Sequence, residues 1–271
     1  MGKLGILAGA GDLPRRMIAA CRKADRDFFV LAFKGEADID SLGDAPHATV
    51  RLGAAGEGFR LLHEAGVAEI VFAGGLKRPT VMSLRPDWRA AKFFARIGYR
   101  ALGDNGLLSA VIAEIESEGF KVVGAETILA DDLAPRGVFG RVAPDAQAEA
   151  DIAHGLTVAR ALGALDIGQA VVIQQGLVLG VEAIEGTDAL LARCRDLGRE
   201  GPGGVLVKVA KPGQERRADL PTIGVRTVRA ACDAGLRGIA VEAGSTIVID
   251  RAGIVVAADE AALFVIGVEP G

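Results

Sequence analysis

The chain has 271 residues, of which 50% are hydrophobic and 24% are charged, and its formal net charge is −4. This length accommodates two domains of roughly 100–150 residues, and the composition excludes disordered, collagen-like and coiled-coil classes. A negative net charge argues against a polycationic nucleic-acid binder, so we expect no nucleic-acid partner, although a local basic patch could still bind phosphates.

The first half of the chain alternates short apolar runs with helical patterns. Apolar runs without strict alternation of polar residues are typical of strands covered on both faces of a parallel sheet. The pattern predicts strands over 4–8, 28–33, 48–52, 69–73 and 121–125, and helices over 13–22, 56–65, 86–97 and 104–118. We therefore expect an α/β protein whose residues 1–130 form a Rossmann-like domain with a parallel sheet.

The second half has a different pattern. Residues 131–145 contain two prolines and two glycines without a regular period, which indicates a linker. Residues 146–271 then predict an α+β domain. Its predicted helices cover 146–162, 188–197 and 227–234, its single strands cover 205–210 and 263–268, and its two hairpins pair 170–174 with 177–183 and 238–241 with 246–250.

Cysteines, histidines and apolar segments indicate the compartment. The three cysteines and three histidines are scattered, which argues against a disulfide framework and a Cys/His zinc site. The apolar run at the N-terminus is too short for a signal peptide, and no run approaches 18 apolar residues. We expect a cytoplasmic protein, for which peripheral contact with a membrane remains open.

A glycine turn links the first predicted strand to the first helix. Gly9, Gly11 and Asp12 lie in this turn, where backbone N–H groups can approach a phosphate at the helix N-terminus. An ordinary strand-to-helix turn with Asp12 as the N-cap explains the same residues equally well. A dinucleotide fingerprint is disfavoured because Pro14 occupies the position of its third glycine.

A second loop of the same kind follows the strand over 69–73. It contains Gly75 and Lys77, and it should face the same crevice as the first turn because ligands lie beyond the carboxyl ends of parallel strands. A cation there suits a phosphate, and a solvated charged loop is the alternative.

The second half contains a denser group of charges. Glu182, Glu185, Thr187 and Asp188 lie where a strand leads into a helix, and a period of two would place Glu182 and Ile184 on one face and Glu185 on the other. Oxygen ligands of this kind bind Mg²⁺, and ordinary surface charge is the competing explanation.

Lysines and a lone acid follow this group. Lys208 and Lys211 lie at the end of a predicted strand, and Asp219 precedes Leu220 and Pro221, where proline favours an extended backbone. Cations beside carboxylates are what phosphoryl chemistry needs, because they neutralise the charge of the substrate. Treated as exposed charges, the two lysines would contribute little to stability.

Four stretches resemble a known family. They are LGILAGAGDLP, LDIGQAVVIQQGLVLGVEAIEGTDALLARC, VKVAKPGQERRADLPTIGVRTV and GIAVEAGSTIVID. Together they resemble the UDP-2,3-diacylglucosamine pyrophosphatases of the lipid A pathway, of the two-domain, metal-dependent type rather than the calcineurin-like type. The resemblance implies a Rossmann-like domain, a C-terminal domain of unusual fold, and a substrate held between them.

The same resemblance implies a reaction and its residues. UDP-2,3-diacylglucosamine would be hydrolysed at the α-phosphorus to UMP and 2,3-diacylglucosamine 1-phosphate (lipid X), with Mg²⁺ required. Asp219 corresponds to the essential acid, and Arg226 stands where relatives often have an acidic or polar residue. On this basis we assign Asp219, Lys208 and Lys211 to catalysis and Asp219, Asp188 and Glu185 to the metal. The substrate-binding residues are Gly9, Gly11, Asp12, Gly75, Lys77, Gln174, Thr187 and Gln214.

Two rival functions remain, and the partners follow from the substrate. An NAD(P) oxidoreductase of the Rossmann-like class and a non-catalytic nucleotide-binding module would use the same folds. A substrate with two acyl chains lies in a membrane, so we expect peripheral association with the inner membrane. Unpaired strand edges in the second domain suggest a homodimer.

Overall fold

Two units make up the structure. This computed structural model describes residues 2–76, 85–97, 104–213 and 215–269, with only the backbone described for 104 and 105. The first unit extends to Leu129 and also includes Glu215–Asp219, and the second unit contains the rest of the chain from Ala130. Among the described residues, no helix combines the length and the apolar character that crossing a membrane requires.

The first unit is a parallel sheet with flanking helices. Its strands are β1 (Lys3–Ala8), β2 (Phe28–Phe33), β3 (His47–Val50), β4 (Val67–Ala73) and β5 (Lys121–Val122). Its helices are α1 (Leu13–Lys23), α2 (Ala55–Glu64), α3 (Trp88–Ile97) and α4 (Asp104–Ser117). All strands are parallel in the order β3-β2-β1-β4-β5, which confirms the Rossmann-like prediction.

The second unit is built on a mixed six-stranded sheet. Its strands are β6 (Gly137–Val138), β7 (Ala170–Gln174), β8 (Leu177–Val181), β9 (Val205–Lys208), β11 (Gly238–Glu242) and β13 (Phe264–Val268), in the order β6-β13-β11-β9-β7-β8. β10 (Thr222–Ile223) and β12 (Ile247–Val248) form a separate parallel pair. The helices are α5 (Ala146–Ala164), α6 (Gly186–Cys194), α7 (Val225–Asp233) and α8 (Arg251–Glu260).

The central strands β7, β9 and β11 of the six-stranded sheet are buried on both faces. Helix α5 contributes Ile152 and Ala159 to one apolar cluster with β7 and β9. The other face packs against α6, α7 and α8, which contribute Leu190, Val228 and Ile254 among others. Burial on both faces explains why these strands are continuous apolar runs rather than alternating ones.

The two predicted hairpins have different outcomes. β7 and β8 pair antiparallel through Gln175 and Gly176, whose φ angles of 52° and 76° suit a tight primed turn. The second hairpin is wrong, because β11 pairs in parallel with β9 and β13 while β12 pairs with β10. A fully buried strand such as β11 needs partners on both sides, and sequence-distant strands supply them.

Some elements were not predicted from the sequence pattern, among them helix α8 and strand β6. The apolar core of helix α8 is rich in β-branched residues, and β-branched residues favour strands, so the sequence did not predict this helix. The helix begins after Asp250, whose side chain caps it by accepting a hydrogen bond from Gly253 N at 3.0 Å. Residues 131–145, interpreted above as a linker, cluster with the second unit, and Gly137–Val138 pair with β13.

Candidate functional site

The glycine turns that follow β1 and β4 lie side by side, as the sequence predicts for two parallel strands. Ala10 N donates to Gly75 O at 2.7 Å, and Gly75 N donates to Ala10 O at 3.1 Å. A Cβ on Gly9 would come within 2.4 Å of Gly75 O, which is far inside van der Waals contact. The absence of a side chain at Gly9 is therefore needed for this close approach of two backbones.

Gly9→Ala is expected to lower the melting temperature by several degrees, because the new methyl group must push the two turns apart. Thermal unfolding followed by circular dichroism measures the shift. Gly75→Ala is the matched control, since a Cβ there meets no atom of the described chain within 4 Å. Equal melting temperatures for the two variants would contradict the close-approach explanation.

The remaining residues of the first turn border open space. Gly11 has a φ of 91°, so glycine is favoured there by backbone conformation. Asp12 occupies the N-cap position of α1, and its carboxylate lies 3.7 Å from Arg15. Lys77 lies outside the described residues, so its predicted contact with substrate stays a prediction.

A buried polar chain lies at the carboxyl end of β9. Lys208 Nζ donates to Thr187 Oγ1 at 3.0 Å and to Thr222 O at 3.1 Å. Thr187 Oγ1 in turn donates to Glu182 Oε1 at 2.6 Å, and Glu182 Oε2 accepts from Gln169 N at 3.0 Å. Glu182 is 6% exposed and Lys208 is 7% exposed, so Lys208, one of the two lysines assigned to catalysis, is not a surface charge.

Lys211, the second lysine of this region, is also paired. Its Nζ lies 2.9 Å from Asp166 Oδ1, and Asp166 has a φ of 54° just after the end of α5. Between the two lysines, Ala210 N donates to Glu242 Oε2 at 3.2 Å. The carboxyl ends of the parallel strands β9 and β11 therefore bring positive and negative groups to one edge of the sheet.

Two of the three carboxylates assigned to the metal, Glu185 and Asp188, have arginine partners. Glu185 Oε1 accepts from Arg193 at 2.8 Å, and Asp188 forms an ion pair with Arg226. Within the described ranges, no three His, Cys, Asp or Glu side chains gather as a set of metal ligands. An all-protein cage that includes Glu185 and Asp188 does not fit this arrangement, whereas a Mg²⁺ site made of one carboxylate and substrate oxygens needs no such cage.

The two assigned glutamines differ in what the structure describes. Gln174 is 1% exposed, and its amide is engaged by the loop that precedes β9. Its Nε2 donates to Arg199 O and Pro202 O at 2.9 Å each, and its Oε1 accepts from Arg199 N at 2.9 Å. Gln174 therefore anchors this loop, while Gln214 lies outside the described residues.

Asp219 lies in the short segment that clusters with the first unit. Arg217 holds this segment by a bidentate pair with Glu215 at 2.8 Å and a contact with Glu116 on α4 at 2.8 Å. The hydrogen bond from Arg217 lowers the pKa of Glu215. Ala218 packs against the apolar core of the first unit, and Asp219 N donates to Glu215 O at 3.2 Å. The half-buried Asp219 therefore sits on a backbone fixed by its neighbours.

The alternation predicted for Glu182, Ile184 and Glu185 does not hold, because the predicted strand extends too far. β8 ends at Val181, so the period of two does not continue, and Ile184 is 90% exposed while Glu182 is buried. The contribution of the Thr222 carbonyl was also missed. No sequence motif indicates that Glu182 and Thr187, five residues apart, form a buried hydrogen bond.

Comparisons with known proteins agree along the whole chain. Residues 3–132 match the model of the LpxI N-terminal domain, and residues 135–266 match that of the LpxI C-terminal domain. The UDP-2,3-diacylglucosamine pyrophosphatase LpxI of Caulobacter vibrioides is 45% identical over 277 aligned positions, which cover 100% of this chain and 99% of that protein.

Solved structures add little to this. CobK precorrin-6A reductase is 14% identical with a TM-score of 0.31, covering 100% of this chain and 89% of its own. The biotin carboxylase domain of a thermophilic 2-oxoglutarate carboxylase is 14% identical with a TM-score of 0.25, and the match covers 64% of this chain and 35% of the carboxylase chain. At such TM-scores neither similarity carries an argument. The two domain matches and the full-length relative confirm the resemblance seen in the motifs, and the chain belongs to the LpxI family.

Proposed function

We propose that this protein is a UDP-2,3-diacylglucosamine pyrophosphatase of lipid A biosynthesis. The observation that carries the proposal is the 45% identity, over the full length of both chains, to a relative named for that activity. The reaction adds water across the pyrophosphate and yields UMP and 2,3-diacylglucosamine 1-phosphate. A diacylated substrate linked to a nucleotide is thus the proposed ligand.

The residues of the chain suggest a division of roles. We assign to Lys208 and Lys211 the stabilisation of negative charge on the phosphoryl oxygens, since both lie at the carboxyl edge of a parallel strand pair. Asp219 either takes the proton from the attacking water or binds a divalent cation. In both roles it must be ionised. The oxygen of water forms the new bond to the α-phosphorus as the bond to the bridging oxygen breaks, and lipid X leaves.

A magnesium ion remains part of the proposal. Asp219 together with substrate oxygens would hold it, and when bound it would supply positive charge at the phosphoryl group. Glu185 and Asp188 would have to release their arginines before joining such a site.

Purified protein with UDP-2,3-diacylglucosamine and Mg²⁺ is expected to release UMP, and a chelator is expected to abolish the release until Mg²⁺ is restored. Chromatographic detection of UMP and lipid X measures the reaction. Release of UDP instead of UMP would show that a bond other than the pyrophosphate is cleaved. If no nucleotide is released with Mg²⁺, Mn²⁺ or Ca²⁺, the enzyme proposal is contradicted. If the chelator leaves the activity unchanged, only the metal part of the proposal is contradicted.

Membrane association and dimer formation are further parts of the proposal. Leu165 and Ile184 are 71% and 90% exposed in the second unit, and large exposed aliphatic side chains favour contact with a lipid surface. Leu177 and Val178 are exposed on β8, an edge strand of the sheet, which suits a homodimer interface.

A further inference from the structure

Glu182 is a buried carboxylate that is absent from the catalytic, metal and substrate-binding assignments above. Glu182 accepts a hydrogen bond from the Thr187 hydroxyl at 2.6 Å, and the oxygen of that same hydroxyl accepts one from Lys208 Nζ at 3.0 Å. We propose that Glu182 is a positioning residue, which acts through Thr187 to aim the ammonium group of Lys208 at the phosphoryl oxygens. This inference rests on the proposed function and deepens its account of the site.

The directions of the hydrogen bonds from Lys208 to Thr187 and from Thr187 to Glu182 require a carboxylate at position 182. Thr187 has one hydroxyl proton, and because it donates that proton to Glu182, its lone pairs face Lys208. Both oxygens of Glu182 act as acceptors, since the second takes the proton of Gln169 N at 3.0 Å. A glutamine at 182 would place its NH₂ group either against Gln169 N–H or against Thr187. In each case one donor loses its acceptor.

The same geometry limits what Lys208 can do. Of the three protons on its ammonium group, two are directed at Thr187 Oγ1 and Thr222 O. The Thr222 carbonyl is fixed by its place in β10, and Thr187 is fixed by Glu182. Two anchors of different origin therefore define the direction of the third N–H bond, which is the one left to meet a phosphoryl oxygen.

Burial explains why the anchor carries a charge. Lys208 is 7% exposed, and a buried cation without a nearby anion is strongly disfavoured. Glu182, at 6% exposure, supplies that anion one side chain away. Because Thr187 separates them, the ammonium is not tied up in a direct ion pair and keeps one proton for the substrate.

Five variants test the inference against a purely structural role. Glu182→Gln and Thr187→Val are expected to lower kcat by about 10- to 100-fold with KM changed by less than about threefold, because a small misplacement of a catalytic group costs that much. Thr187→Ser keeps the hydroxyl and is expected to recover most of the activity that Thr187→Val loses. Glu200→Gln, at an exposed position, is the control for the loss of one carboxylate. Lys208→Met supplies the background for a double-mutant cycle.

The decisive measurement is whether Glu182→Gln acts through Lys208. In the Lys208→Met background it is expected to change kcat by less than about twofold, since there is no ammonium left to aim. The double variant is also expected to have a higher melting temperature than Lys208→Met alone, because its neutral glutamine replaces a carboxylate that would otherwise be buried without a cation. This second readout does not depend on activity.

Several results would overturn the inference. The same loss of kcat from Glu182→Gln in both backgrounds would show that the two residues act independently. Equal losses in Thr187→Ser and Thr187→Val would show that the hydroxyl is irrelevant, and this comparison needs no Lys208 variant that folds. A wild-type protein that releases no UMP overturns the proposed function and this inference together, whereas independent effects in an active enzyme overturn this inference alone.

Discussion

Asp219→Ala is expected to lose at least about 10³-fold in turnover while still binding substrate. Proton abstraction and metal binding both need the carboxylate, and alanine can do neither. Binding should survive, because two acyl chains and a nucleotide supply most of the affinity from elsewhere. The measurements are a UMP-release assay and mass spectrometry of lipid extracted from the purified variant, which should retain the substrate.

The variant should fold normally, and this separates chemistry from structure. Arg217, through Glu215 and Glu116, and the packing of Ala218 hold the segment around Asp219, and the variant keeps these contacts. Asp233→Ala, at an exposed position near the end of α7, is the matched control and should keep full activity. Turnover within tenfold of wild type would remove Asp219 from the mechanism.

Lys208→Ala is expected to reduce turnover by about 10² or more and to destabilise the fold by about 1–3 kcal/mol as well. Treating both lysines as exposed was wrong for Lys208, which is 7% exposed and bonded to Thr187 and Thr222. Removing it leaves Glu182 buried in a network that has lost its cation. Steady-state kinetics and chemical denaturation on the same preparation measure both effects.

Lys211→Ala provides the comparison. Its loss leaves Asp166, whose side chain is 28% exposed, so water can replace part of the ion pair and the cost in stability should be smaller. Turnover should still fall by about 10² if Lys211 neutralises a phosphoryl oxygen. A Lys208→Ala protein as stable and as active as wild type would contradict both the catalytic assignment and the importance of the buried network.

Local patterns in the sequence were sufficient wherever short-range physics decides the structure. Apolar runs such as Phe28–Phe33 predicted strands with their bounds, because a strand buried on both faces must be apolar throughout. The turn at Gln175 and Gly176 was predicted because these two residues lie between two apolar runs, and both have the positive φ angles of a two-residue hairpin turn. The motifs also predicted the family, which the two domain matches confirm.

Tertiary structure alone decided which charges lie together. The buried partner of Thr187 is Glu182 rather than Glu185, because β8 ends at Val181 and the chain turns before the pattern of alternation can continue. Glu185 instead pairs with Arg193, and Asp219 clusters with the first unit although it lies late in the chain. Hydrogen bonds and ion pairs between residues distant in sequence leave no periodic signal, since they depend on where separate elements pack. The sequence therefore determined the family and most of the strands and helices, and packing determined the partners of β11 and β12 and which acid supports the buried lysine.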